Sequence, residues 1–161
     1  MKDIGIVIVT FNSETYISNC IQSIVKSDNF KNIGTIIIVD NNSSDNTLNI
    51  IRKDFPGVSL IINESNLGYA KAVNIGMAQL DEKFCFICNP DIELQKDSLP
   101  ILLDLIKSDE SIGVVGGQQV YINNTWQRSF GNMPGLKDSI YNLLFITTIN
   151  NFLNKLIFNY F

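Results

Sequence analysis

Ile36-Ile37-Ile38-Val39-Asp40-Asn41-Asn42-Ser43-Ser44-Asp45-Asn46-Thr47 passes from an unbroken β-branched run to an unbroken polar one. A run with no polar face predicts a strand buried on both sides. The Asx- and Ser-rich stretch behind it predicts a tight polar turn at the strand's carboxyl end. Helical spacing then runs from Thr47 to Phe55 and stops at Pro56-Gly57. The same order recurs upstream. Ile4 to Thr10 is a buried strand, Asn12-Ser13 punctuates it, and Tyr16, Ile17, Cys20, Ile21, Ile24 and Val25 form one helical stripe. Downstream, Val58–Ile62 is a strand closed by Asn63-Glu64-Ser65-Asn66, and Gly68–Leu80 has helical spacing at Ala72, Val73, Ile75, Gly76 and Leu80. Phe84–Cys88 is a fourth strand, ended by Asn89-Pro90-Asp91. Ser98–Ile106 is a further helix, followed by the apolar stretches Ile112–Gly117 and Val120–Ile122. Strand and helix alternate, which implies an α/β fold with a mostly parallel sheet between helices.

Composition narrows the function. The 161 residues are 45% hydrophobic, enough for one sizeable core. With 12 basic and 16 acidic residues, net −4, and no cluster of Lys and Arg, the chain is no nucleic-acid binder. The absence of histidine removes imidazole bases and His metal ligands. Cys85 and Cys88 form a C-x-x-C, but inside a strand-like run rather than at a helix start, so core thiols are expected. The opening apolar run, Ile4–Val9, is too short for a secretory signal, and a reducing, cytoplasmic setting is the expectation. Beyond residue 110 only Arg128, Lys137, Asp138 and Lys155 carry charge. The apolar stretch 140–161 is interrupted by Asn142, Asn150, Asn151, Asn154 and Lys155, too often for a membrane span. Phe145, Ile149, Phe152, Leu153, Leu156 and Ile157 instead mark an amphipathic helix. It is expected to pack on its own domain, self-associate, or dock on a membrane surface.

In an open parallel sheet, ligands bind beyond the carboxyl ends of the strands. Four polar clusters fall there: Thr10-Phe11-Asn12, Asp40 to Asp45, Asn66-Leu67-Gly68, and Asn89-Pro90-Asp91. Turn formation explains any one of them, but it accounts poorly for all four together. No G-x-G-x-x-G follows the first strand and no P-loop is present. Carboxylates and amides suit a base, a ribose and a hard divalent cation, Mg²⁺ or Mn²⁺. Asp91, behind a buried strand on a turn stiffened by Pro90, is the candidate metal ligand.

The stretches Val7–Asn12, Ile38–Thr47, Asn66–Gly76 and Asn89–Asp91 resemble, in order and spacing, a family 2 glycosyltransferase of the GT-A fold. The resemblance spans residues 4–122, and its Asn-Pro-Asp form is similar to the rhamnosyltransferase-like branch. It implies a three-layer α/β/α sandwich, with a nucleotide-sugar-binding core over residues 1–122 and the start of an acceptor region over 123–161. It implies that Thr10, Phe11 and Asn12 border the nucleotide base, and that Asp40 and Asn41 read base and ribose. Backbone at Asn66–Gly68 would approach the nucleotide, Gly68 being tolerant of close contact. Lys71 or Asn74 would face ribose or diphosphate, and Asp91 would hold the metal bridging the phosphates, with Asn89 opposite. Asn12 and Asn66 suit helix caps equally well, and Lys71 a solvated surface charge.

The implied reaction is inverting transfer from a nucleotide diphosphate sugar to a hydroxyl of a glycan or lipid-linked acceptor. Its setting would be bacterial surface polysaccharide synthesis, in the cytoplasm or peripherally at the inner membrane face. The family's base is an acidic residue well downstream of the metal motif. Glu93, Asp97, Asp104, Asp109, Glu110 and Asp138 follow Asp91, but no Glu-Asp or Asp-x-Asp pair lies beyond Gly117, so no base is assigned. Trp126-Gln127-Arg128-Ser129-Phe130-Gly131 resembles the start of the acceptor half, with Trp126 suited to stacking on a sugar. The expectation is donor binding with poor turnover in these 161 residues. Two alternatives stand beside it: a nucleotide-sugar-binding module without turnover, and a nucleotidyltransferase. The second is disfavoured because Thr10–Glu14 holds neither Gly nor Lys.

Overall fold

A computed structural model describes residues 2–28, 30–121, 123 and 125–127. The chain divides into two compact units, Met1–Gly117 and Gln118–Phe161. In the first unit the strands are β1 (Ile4–Thr10), β2 (Ile33–Asp40), β3 (Ser59–Ile62) and β4 (Phe84–Cys88). They form a parallel sheet in the order β3-β2-β1-β4. Between them run α1 (Ile17–Val25), α2 (Thr47–Asp54) and α3 (Tyr69–Met77), with α4 (Ser98–Lys107) after β4.

Every residue of β1 is buried, as its unbroken β-branched run requires. Alternation along the strands splits the core between the two faces. Ile4, Ile6, Ile8 and Ile38 share one cluster with Ile17, Cys20, Ile21 and Ile24 of α1, Ile51 of α2, and Leu99 and Leu103 of α4. Val7, Val9, Ile37 and Val39 share the other with Ala72 and Val73 of α3. The result is the three-layer GT-A arrangement expected from the resemblance. Gly76 lets α3 lie close on the sheet: a Cβ there would sit 2.6 Å from a methyl of Val7 and 3.1 Å from one of Val39.

β2 begins earlier than its sequence suggests. Gly34 breaks the β-branched run and Thr35 adds a polar residue to it, yet Ile33 already pairs with Ile4. The reason lies far along the chain. Glu82, just ahead of β4, takes hydrogen bonds at Oε1 from the Thr35 N–H (2.6 Å) and the Thr35 hydroxyl (2.9 Å). Its side chain occupies space that a Cβ at Gly5 or Gly34 would need. Burial pushes the Glu82 carboxyl up, but the Thr35 hydrogen bonds outweigh it and hold the group below its ordinary value of 4.5. A depressed folded-state pKa contributes stability that is present above the unfolded value and lost as pH falls through the folded one. We expect Glu82→Gln to destabilise the chain by roughly 1 kcal/mol at pH 7. The gap to wild type should narrow as pH falls below 4.5 in urea titrations, and an acid-independent gap would contradict this account.

The apolar stretch Ile112–Gly117 carries no regular structure. In the second unit, β5 (Gln119–Val120) pairs antiparallel with β6 (Trp126–Gln127). Val120 sits opposite Trp126, so the division falls at Gly117, ahead of the boundary expected after residue 122. The expected amphipathic helix over 140–161, and with it self-association or membrane docking, lies outside the described residues, as do Arg128–Gly131 and Asp138. Among the described residues no helix is long and apolar enough to cross a membrane.

Candidate functional site

Because the sheet is parallel, its strands deliver their following loops to one edge. β1 and β2 end in register, Thr10 beside Asp40, and Ile62 of β3 lies next to Asp40. β4 ends at Cys88, opposite Ile8. All four polar clusters are therefore at the carboxyl edge of one sheet.

Asp40 is fully buried. The Thr10 hydroxyl donates to its Oδ2 (2.9 Å), the Ser43 hydroxyl to the same oxygen (2.5 Å), and the Ser43 N–H to Oδ1 (2.8 Å). A carboxylate has about four acceptor sites, so Oδ1 keeps one free. Asn41 is buried beside it: its Oδ1 accepts from Asn63 Nδ2 (2.8 Å), and its Nδ2 donates to the Gly68 carbonyl (3.4 Å). Asn63 escaped the sequence reading, although it holds the same place behind β3 that Asn41 holds behind β2. The backbone extends the pattern, with Asn41 N–H on the Thr10 carbonyl and Asn63 N–H on the Asp40 carbonyl.

The loops after β1 and β2 are laced together. Asn12 and Asn42 both adopt left-handed backbone, φ 49° and 68°. Asn12 donates its N–H to the Ser43 hydroxyl and accepts from the Ser44 N–H, both at 2.8 Å. Ser13 N–H reaches the Thr47 hydroxyl (2.7 Å), Glu14 N–H reaches Asp45 Oδ2 (3.0 Å), and Asn46 N–H returns to Glu14 Oε2 (2.8 Å). Burial opposes ionisation of Asp45, but hydrogen bonds from Thr47 and Glu14 outweigh it and hold the carboxyl below its usual range. Neither Asn12 nor Asn66 caps a helix. The N-cap positions are Tyr16 and Gly68, and Asn66 Oδ1 instead accepts from the Gly68 N–H (2.9 Å). Gly68 has φ 81° and ψ 162°, a conformation that disfavours any side chain.

Around this framework Phe11, Asn12, Gly68, Lys71, Asn74, Asn89 and Asp91 are exposed. Lys71 and Asn74 lie three apart on α3 and so share a face. Tyr69, also exposed, joins them at the start of α3, a neighbour that sequence spacing alone gave no reason to single out.

Asn89–Ile92 is a turn closed by the Ile92 N–H on the Asn89 carbonyl (3.3 Å), with Pro90 and Asp91 at its centre. Among the described residues Asp91 accepts no hydrogen bond and pairs with no cation. No group of three or more His, Cys, Asp or Glu there could hold a metal. A single unengaged carboxylate fits Mg²⁺ or Mn²⁺ of the kind that takes its remaining ligands from water and substrate phosphates. Cys85 and Cys88 face opposite sides of the sheet, one in each core cluster, because strand residues three apart must. The partner of Cys88 is Cys20, at 3.9 Å between sulfurs. The hydrogen bond with Cys88 and then burial push the Cys20 thiol far above its usual range. A hollow of about 400 Å³ opens at the opposite edge, lined by Lys2, Phe30, Lys31, Gly34, Thr35 and Gly57 among others. It holds no carboxylate or amide side chain, so donor chemistry and not volume picks the carboxyl edge.

Known proteins share this sequence pattern and this fold. The chain is 28% identical over 102 residues to poly(ribitol-phosphate) β-N-acetylglucosaminyltransferase TarS of Staphylococcus aureus, a match covering 62% of this chain and 18% of TarS. The crystal structure of TarS 1–349 in complex with UDP-GlcNAc superposes with a TM-score of 0.59 at 25% identity, over 73% of this chain and 37% of that one. N-acetylglucosaminyl-diphospho-decaprenol L-rhamnosyltransferase of Mycobacterium tuberculosis is 30% identical over 93 residues, 51% of this chain and 30% of the relative. Mannosyltransferase PcManGT of Pyrobaculum calidifontis, in complex with GDP-Man and Mn²⁺, shares the fold with a TM-score of 0.61 at 20% identity, over 68% of this chain and 33% of that one. The chain thus spans well under two thirds of the length of these relatives. The family described as glycosyl transferase family 2 matches residues 5–160, and the chain belongs to that family.

Proposed function

We propose that this chain forms the donor side of an inverting glycosyltransferase. The reaction moves a sugar from a nucleotide diphosphate sugar to a hydroxyl of a glycan or lipid-linked acceptor, in building a bacterial surface polysaccharide on the cytoplasmic side. The observation that carries the proposal is the pairing of an unengaged Asp91 with the buried Asp40–Asn41 framework on one sheet edge. In this reading the free acceptor site of Asp40 takes a base N–H, and Asn41 orients the Asn63 side chain and the Gly68 backbone beside the ribose. Phe11 offers a ring face to the base, with Thr10 and Asn12 holding the loop that carries it. Lys71 and Asn74 meet ribose or diphosphate, and Asn89 flanks the carboxylate of Asp91. Mg²⁺ or Mn²⁺ held by Asp91 would offset charge on the leaving diphosphate. The names of the relatives, which include UDP-linked and GDP-linked sugars as bound ligands, support a sugar nucleotide and leave its base open.

Calorimetric titration of the chain with UDP, dTDP and GDP tests the proposal. One of the three should bind in Mn²⁺ and lose most of its affinity in EDTA. Binding of none, or binding indifferent to EDTA, would overturn it.

A further inference from the structure

Asp91 accepts no hydrogen bond and pairs with no cation among the described residues, yet a metal ligand must be held in place. The segment that carries it is held from α1. Asn89 donates no side-chain bond there, but its carbonyl accepts from the Cys20 thiol (3.5 Å), the Cys88 thiol (3.2 Å) and the Ile92 N–H (3.3 Å). Beyond Asp91, the Asn19 amide donates to Glu93 Oε1 (3.0 Å), and the Leu94 N–H donates to the Ser23 hydroxyl (2.9 Å). That hydroxyl is itself oriented by donating to the Cys20 carbonyl (2.7 Å). Further on, the Asp28 N–H reaches the Lys96 carbonyl (2.9 Å). Asn19, Cys20 and Ser23 occupy one helix face, since residues three and four apart are neighbours there. Residues 89–96 therefore run along α1, clamped on both sides of Asp91.

We propose that Ser23 and Asn19 of α1 are positioning residues for Asp91, holding the Asn89–Leu94 segment that presents its carboxylate to a metal-bound diphosphate. The inference rests on the proposed function. Residues that orient a ligand without touching the metal typically change metal affinity by 10–100-fold when removed. Ser23→Ala deletes the acceptor of a part-buried N–H and should matter more than Asn19→Ala at an exposed pair.

The test is a Mn²⁺ titration of the full chain with whichever of UDP, dTDP and GDP binds the wild type, beside the thermal midpoint measured in EDTA. Ser23→Ala should raise the half-saturating Mn²⁺ concentration about tenfold, and Asn19→Ala about threefold. Ser23→Thr, which keeps the hydroxyl, should stay near wild type, and the metal-free midpoints of Asn19→Ala and Ser23→Thr should barely move. If Asp91→Ala abolishes the Mn²⁺ response while Asn19→Ala and Ser23→Ala keep wild-type Mn²⁺ affinity, the positioning role is overturned and the site reading survives. The role is also overturned if the two variants lose nucleotide affinity equally in Mn²⁺ and in EDTA, which is what mere destabilisation does. Should Ser23→Ala not fold, exposed Asn19→Ala decides alone. If Asp91→Ala leaves the Mn²⁺ response intact, the proposed function itself loses its metal ligand, and this inference goes with it.

Discussion

Asp91→Ala should abolish the Mn²⁺ dependence of nucleotide binding and leave the fold as it is. The two halves of that result have separate causes. Asp91 is exposed, at the centre of a turn closed by backbone, and its carboxylate has no partner among the described residues. Surface replacements of this kind usually stay within about 0.5 kcal/mol in stability. Metal binding is different, because Asp91 offers the cation a carboxylate that no other group engages among the described residues. Supporting residues around metal sites already cost 10–100-fold, so losing the ligand itself should cost roughly 100-fold or more, about 2.7 kcal/mol. Asp91→Asn keeps the turn and a neutral oxygen, and should fall between. Calorimetry in Mn²⁺ and in EDTA reads the effect, and urea unfolding reads the control. A variant that still responds to Mn²⁺ like wild type would move the metal elsewhere on this edge.

Asp91 also shows where sequence reading succeeds and where it stops. Its place behind a buried strand was legible, because β-branched runs declare buried parallel strands and parallel strands send their loops to one edge. Its freedom from partners was not, since that depends on what α1 does with the neighbouring residues. Asp40 is the converse: residue type and position were legible, while the engagement of its oxygens by Thr10 and Ser43 was not, one of those bonds spanning thirty residues of chain. The start of β2 departs from its sequence pattern for the same reason, being fixed by Glu82, which sequence spacing cannot connect to Thr35. The strand context of the C-x-x-C points to core thiols, and Cys88 is buried while Cys85 is half-buried, but the partner of Cys88 is Cys20 on a helix, and no local pattern points to it. Short-range periodicity gives elements and edges, whereas side-chain closure between distant loops gives the site its shape.

That closure sets the second large effect. Asp40→Ala should destabilise the chain by about 2–4 kcal/mol, because it strips partners from the buried Thr10 hydroxyl and from both Ser43 donors at once. Thr10→Val, nearly isosteric, removes one of the three bonds and should cost about 1 kcal/mol in wild type. In the Asp40→Ala background the same change should cost almost nothing, since the hydroxyl has already lost its acceptor, and the two losses should not add. Asp40→Asn separates holding from reading. An amide retains one oxygen acceptor, and the Thr10 and Ser43 hydroxyls can turn to accept from its nitrogen, so stability should fall by only about 1 kcal/mol. The acceptor site left free on Oδ1 in wild type, however, then competes with the Ser43 N–H for a single carbonyl-type oxygen. Nucleotide affinity in Asp40→Asn should therefore fall by more than its urea midpoint accounts for, about tenfold. If affinity falls only in step with the urea midpoint across Asp40→Asn, Asp40→Ala and Thr10→Val, Asp40 is a structural post for the two loops, and base reading passes to the exposed residues around Phe11.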